Sequence, residues 1–81
     1  MASTNKIYLS ELAVNEHATI LSFASGRLET SRLASLGFTP GVQVDMSQNY
    51  GRGPLIVTVR GTHVALGRGE AASIVVEHLE E

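Results

Sequence analysis

The sequence predicts a mainly β domain: a small barrel of five short strands, with one short helix after the first strand and a turn near the C-terminus. Three observations carry this. Eight Gly and two Pro punctuate the 81 residues about every ten positions over much of the length. Between them lie short alternating or β-branched apolar runs, such as Val42–Gln48 and Ile74–Leu79. A single stretch, Leu28–Leu36, has helical spacing, and it ends in the sharpest local signal of the chain.

Taken in order, Ile7–Leu12 reads as a short opening segment in which Ser10 N-caps one turn and Glu11 sits at its positive end. Val14-Asn15 reads as a turn. Glu16–Ala24 is the first strand, with His17, Thr19, Leu21 and Phe23 on one face and Ala18, Ile20, Ser22 and Ala24 on the other. Both faces carry apolar residues, which suits a bent strand in a closed barrel. Ser25-Gly26 breaks it. The helix Leu28–Leu36 places Leu28, Leu33 and Leu36 together, with Arg32 in reach of Glu29. Gly37 then fits the left-handed position after a helix. Phe38 falls at C″ and Leu33 at C3, the apolar pair that accompanies a Schellman stop. Leu33, Leu36 and Phe38 are accordingly core. Thr39-Pro40-Gly41 follows as a turn, with Pro and Gly placed for type II.

Val42–Gln48 alternates as a strand with one buried face. Asn49–Pro54 is a Gly-rich loop. Leu55–Arg60 and His63–Leu66 form a hairpin closed by Gly61-Thr62 in the II′ manner. Gly67–Ser73 is a connector with one helical turn around Glu70-Ala71-Ala72, and Ile74–Leu79 is the last strand; Glu80-Glu81 is a frayed tail. Five strands with a bent first member give an SH3-like barrel, whose closure protects the strand edges of a short chain.

The composition narrows function. The length supports one domain over residues 1–81. There is no Cys, so disulfides, thiolate metal sites and a Cys nucleophile are excluded. No apolar run spans a bilayer and Met1–Lys6 lacks a signal-peptide core, which predicts a cytoplasmic protein without direct membrane insertion. A net charge of −2 with scattered Lys and Arg, no Trp, and four Phe and Tyr argues against nucleic acid as a partner. The same shortage of aromatics leaves little for a proline-rich peptide groove.

No catalytic residues are expected. Asp45 is the sole Asp and no Ser stands in a nucleophile elbow. A spatial triad would need a dry pocket that a barrel this small has little room to build. His17, His63 and His78 are the candidate metal ligands, with Glu16, Glu70 and Glu77 close in sequence. Their spacing matches no strong site, so three surface or half-buried histidines remain the simpler reading. No cofactor is required on this view, and a bound transition metal would be Fe(II) or Zn(II). Gly51-Arg52-Gly53 lacks the rest of a phosphate-binding signature. Arg52 at the loop tip could instead reach into a partner's site and stabilise phosphoryl-transfer charge.

Leu28–Val44, with its Leu36-Gly37-Phe38-Thr39-Pro40-Gly41 centre, resembles the signature of the ferrous iron transport protein A (FeoA) family. Pro54–Leu66, Glu70-Ala71 with Ile74-Val75-Val76, and Leu9–Leu12 are similar to its hairpin, closing and opening segments. The likeness runs from about Ile7 to Leu79. It departs at Val14-Asn15, where the family has Pro-Gly, and at Gly67 and Gly69 around Arg68. The resemblance implies an SH3-like fold and an accessory role in bacterial ferrous iron uptake. The implied partner is the FeoB-type membrane transporter with its GTPase domain. The same barrel occurs at the C-terminus of metal-dependent repressors, so a free-standing metal-binding or regulatory module is the alternative. Docking is expected on the helix and its exit turn, Leu28 to Gly41. Arg32, Thr39, Pro40 and Gly41 are the contact candidates there, with Arg52 on the loop. Oligomeric state is left open.

Overall fold

The computed structural model describes residues 5–24 and 27–79, and from the first α-helix only the side chains of 31–35. Six strands form one antiparallel sheet: β1 Lys6–Tyr8, β2 His17–Phe23, β3 Gln43–Gln48, β4 Leu55–Val59, β5 Thr62–Leu66 and β6 Ile74–Leu79. They lie in the order β1-β6-β2-β3-β4-β5. A 3-10 turn, Leu9–Glu11, follows β1; helix α1, Arg27–Ser35, joins β2 to β3, and the short helix α2, Arg68–Ala71, joins β5 to β6.

The architecture is the expected mainly β, SH3-like one, with one strand more than the sequence predicts. β1 is three residues long with its first and last side chains exposed, too short to write an alternating pattern. It pairs with β6 in register Lys6↔Glu77, Ile7↔Val76 and Tyr8↔Val75. Ser10 is not the cap of the turn that follows. Tyr8 precedes the turn with extended backbone, and its N–H donates to Glu11 Oε1 at 2.9 Å. The carboxylate three residues on does the work that Ser10 was expected to do.

The sheet bends at two bulges. Opposite β6, the register passes from Ile20↔Val76 to Ser22↔Val75, leaving Leu21 extra in β2. Opposite β4, it passes from Met46↔Val57 to Gln48↔Ile56, leaving Ser47 extra in β3. Each extra residue kinks its strand and increases the twist, which curls six short strands around one core. That core includes Ala18, Ile20, Val44, Met46, Leu55 and Val76, all at most 1% exposed; no polar or charged residue is buried among the described residues. Phe38 and Leu33 join it from the helix exit, and Leu9 and Leu12 from the 3-10 turn, each at 0%. Leu36 departs from expectation at 37% exposed. It stands between Leu33 and Phe38 where the chain reverses direction, and the reversal turns it outward.

The helix stop is a Schellman motif. Gly37 has φ +104°, Phe38 N–H donates to Leu33 O and Gly37 N–H to Ala34 O, both at 3.0 Å. Thr39–Val42 is the expected turn: Val42 N–H donates to Thr39 O at 3.1 Å and Gly41 takes φ +91°. The β4–β5 hairpin differs by one residue. Arg60 (φ +52°) and Gly61 (φ +80°) are its two turn residues, and Val59 pairs with Thr62. Two positive φ values make it I′ rather than II′, because the mirror-image turn matches the strand twist while keeping Thr62 in the ladder.

Among the described residues no ladder joins β5 back to β1. A side chain bridges the opening instead. Asn49, just past β3, donates through Nδ2 to Ser10 O (3.1 Å) and Leu12 O (2.8 Å). Its Oδ1 accepts from Arg68 Nη2 (2.6 Å) and from Gly51 N–H (3.0 Å). One carboxamide thus ties the 3-10 turn, the β3–β4 loop and α2.

Asn49→Ala should therefore destabilise the fold by about 2 kcal/mol in urea unfolding, since two carbonyls and the Arg68 cation lose their partner together. Arg60→Asn should stabilise it by about 0.5–1 kcal/mol, because Asn tolerates the left-handed backbone that Arg60 holds. Thermal unfolding of the single variants checks both signs.

Candidate functional site

Three surface features survive once the core is set aside. The first is the exit of α1. Pro40 and Gly41 are exposed and Thr39 is half-buried. The turn is stitched to the sheet on its far side: Gly41 N–H donates to Ile20 O at 2.8 Å, and Ile20 N–H to Val42 O at 2.9 Å. With the Schellman bonds on the near side, the backbone from Leu36 to Gly41 is held at both ends. Arg32 lies on the same helix, and its Nη1 pairs with Glu70 Oε2 of α2. Glu70 Oε1 also accepts the Gly67 N–H at 3.1 Å, which orients the carboxylate. The cation expected to face a partner is thus engaged in joining the two helices. The expected Arg32–Glu29 pair lies outside the described residues, as does the Leu28 side chain.

The second feature is a pair of histidine–carboxylate contacts at one end of β2. His17 Nδ1 donates to Asp45 Oδ1 at 2.6 Å across the β2–β3 ladder, where the two residues are register partners. His78 Nε2 lies 3.1 Å from Glu16 Oε2, and its backbone N–H donates to Asn5 O at 2.9 Å. A cleft of about 390 Å³ opens here, lined by Asn5, Lys6, Ile7, Glu16 and His78. Glu16 Oε1 accepts the Ala13 N–H at 2.8 Å. That backbone bond, helped by His78 and opposed by desolvation, holds the Glu16 carboxyl below its ordinary pKa.

His63 stands apart from both pairs. Its register partner is Thr58, whose partner on the other side is Asp45. His17, Asp45 and His63 therefore share one row across the sheet, but β4 separates Asp45 from His63 by two strand spacings, roughly 10 Å. Among the described residues no group of three His, Asp or Glu side chains could hold a metal ion. The geometry brings the three sequence candidates into two separate two-donor sets and a lone histidine. Zinc takes about four protein ligands in a closed site and about three in an open catalytic one.

The third feature is the β3–β4 loop. Gly51 and Gly53 have φ +84° and +75°, and Arg52 between them is exposed at the tip, as the sequence predicts. Tyr50 beside it is 77% exposed. The sequence gives no role to Tyr50, Asn49 or Arg68, and Glu70, expected near the histidines, pairs with Arg32 instead. The Asn that opens a Gly-rich loop was the available signal, since Asn there closes a local turn through its own side chain.

A family model for the FeoA domain matches residues 7–78. A curated relative from Methanocaldococcus jannaschii, provisionally named Fe(2+) transport protein A, is 32% identical over 65 residues, 80% of this chain and 78% of the relative. A crystal structure of an iron uptake regulatory protein (FeoA) superposes with a TM-score of 0.88 at 28% identity, over 93% of this chain and all of that one. The FeoA of Stenotrophomonas maltophilia, solved with zinc and described as an SH3 domain protein, is 35% identical over 93% of this chain and 89% of its own, with a TM-score of 0.75. A manganese-dependent transcriptional repressor shares the fold (TM-score 0.83, 17% identity), covering 98% of this chain and 45% of that longer one.

Calorimetric titration of the isolated chain with Zn(II) or Fe(II) should give a Kd no tighter than about 10 μM, with His17→Ala and His78→Ala each removing only part of the binding. The lowered Glu16 pKa has a definite sign. Its stabilisation is present above the unfolded carboxyl value and is lost as pH falls through the folded one. Glu16→Gln should therefore lower stability at neutral pH and flatten the acid limb of the stability–pH curve, as read by urea midpoints.

Proposed function

The chain belongs to the FeoA family, and on that premise we propose that it is an accessory protein of ferrous iron uptake that docks on the FeoB-type membrane transporter and modulates its activity or assembly. The observation that carries the reading is the exit of α1. From Leu36 to Gly41 it exposes Leu36, Pro40 and Gly41 around the buried Phe38, and its shape is fixed by main-chain hydrogen bonds. A preformed surface binds without an ordering cost, which suits a small regulatory module. No described helix is long and apolar enough to cross a membrane, which fits a chain that assists a conduit. The names carried by the M. jannaschii and S. maltophilia relatives point to the same transport process.

The metal-regulated alternative draws on the likeness to the repressor barrel. The separation of His63 from the two histidine–carboxylate pairs favours docking over it.

Ferrous iron uptake in host cells lacking this chain should fall selectively against manganese and zinc uptake, and return when the chain is restored. Pro40→Glu should leave the thermal midpoint within a few degrees of the unaltered chain, yet weaken binding to the detergent-solubilised transporter by about tenfold. Iron uptake unchanged by deletion would defeat the accessory reading and turn attention to metal binding by the isolated chain.

A further inference from the structure

We propose that Tyr50 and Arg52 form a second, preformed anchor that inserts into a carboxylate-bearing pocket of the same protein partner, at a point separate from the α1 exit. The proposal rests on the docking reading above and adds the loop's part in it.

Tyr50 is the most exposed large apolar side chain among the described residues, at 77% against 46% for Tyr8, the next. Solvating a tyrosine ring in this way has no structural return. Arg52, two residues on, is exposed, and among the described residues no ion pair joins it. Tyr and Arg are the side chains most often found to dominate binding energy at protein interfaces. Arg60, also exposed in a turn, has no such neighbour: Val59 before it is buried and Gly61 follows.

The loop that presents the pair is tied down at its start. Its first residue, Asn49, is fixed by hydrogen bonds to the 3-10 turn and to Arg68, and closes back on the Gly51 N–H. Gly51 and Gly53 then hold left-handed backbone on either side of Arg52. Tyr50 thus lies between two hydrogen-bonded residues, and part of the backbone ordering is in place before binding.

Charge selects the partner. The whole chain carries −2, whereas Asn49–Pro54 carries one cation and no acid. The fit is to a pocket with an apolar wall for the ring and a carboxylate for the guanidinium, which can be held by two parallel bonds. One isolated cation on an acidic chain is a poor match for a nucleic-acid backbone or an anionic bilayer, both of which need clustered positive charge. The six residues of β3 separate this loop from the α1 exit, a span of about 20 Å. Two contacts so far apart touch the partner independently.

The test measures binding of the full chain to the detergent-solubilised transporter. Tyr50→Ala and Arg52→Glu should each weaken binding at least about tenfold, with thermal midpoints unchanged. Arg52→Lys should recover part of the loss, and Arg52→Ala should reduce the salt dependence of association. Combined with Pro40→Glu, the fold-losses should multiply, as expected for distant independent sites. Native affinity in both loop variants, alongside weak binding by Pro40→Glu, would overturn the anchor and leave docking at the α1 exit standing. No binding by the unaltered chain would overturn both. A Tyr50-dependent dimer of the chain alone, seen by light scattering, would overturn the anchor by making a second copy the occupant.

Discussion

One side chain closes this barrel. The sheet runs from β1 to β5 without a ladder between its two edges among the described residues, so something other than strand pairing must hold the ends of the curl together. Asn49 does so with each polar hydrogen and lone-pair direction it has, two donated and two accepted. The consequence reaches the core. Leu9 and Leu12 are fully buried, yet they belong to a three-residue turn and the residue after it, with little hydrogen bonding of their own. What seats them is the carboxamide gripping the carbonyls on either side of Glu11. The same oxygen orients Arg68 and so places α2, whose Glu70 in turn holds Arg32 of α1. Both helices are thereby referred to one point at the end of β3.

Around that clasp, the bend of the sheet and the reversal of α1 are coupled. Ile20 is the last residue of β2 before the bulge, and its N–H and C=O both engage the Thr39–Val42 turn. The turn can meet Ile20 only because Gly37 and Gly41 take positive φ in quick succession, which lets the chain leave a helix and re-enter a strand with seven residues between them. Phe38, swung inward by that reversal, is fully buried in the core.

Much of this was legible where a local rule has a residue signature. The Schellman stop, the Pro-Gly turn and the alternation of β3 each follow from chemistry confined to a few neighbouring residues. The departures fall where the decisive partner is distant or the element is too short to show a period. β1 owes its three residues of ladder to β6, some seventy positions away. The Arg60-Gly61 turn lacks the Asn that would have marked it as I′. Leu36 has the spacing of a core residue, and its exposure is set by a chain reversal that helical periodicity does not contain. For the candidate site the balance was different. Pro40, Gly41 and Arg52 occupy the exposed positions expected of them, and Thr39 is half-buried. Arg32, His17 and His78 have partners across the sheet or between helices, which sequence spacing does not encode, whereas His63 stands apart on β5.

Those partners say how the chain divides its charges. Arg32 joins α1 to α2, Arg68 anchors α2 to the β3–β4 loop, His78 fastens β6 to the residue that opens β2, and His17 links β2 to β3. Each pair spans two elements distant in sequence, and each is at least partly open to water, where an ion pair contributes little by itself. Their value lies in position: they fasten the rims of a core that is wholly apolar and too small to fix its own edges. On the proposed reading, recognition uses the backbone-defined exit of α1 at one end of β3 and the Tyr50–Arg52 loop at the other, with the same strand setting the distance between them. A domain that holds two contact points rigidly at a fixed separation can report, or impose, the relative placement of two surfaces on a larger partner. That capacity needs no active site.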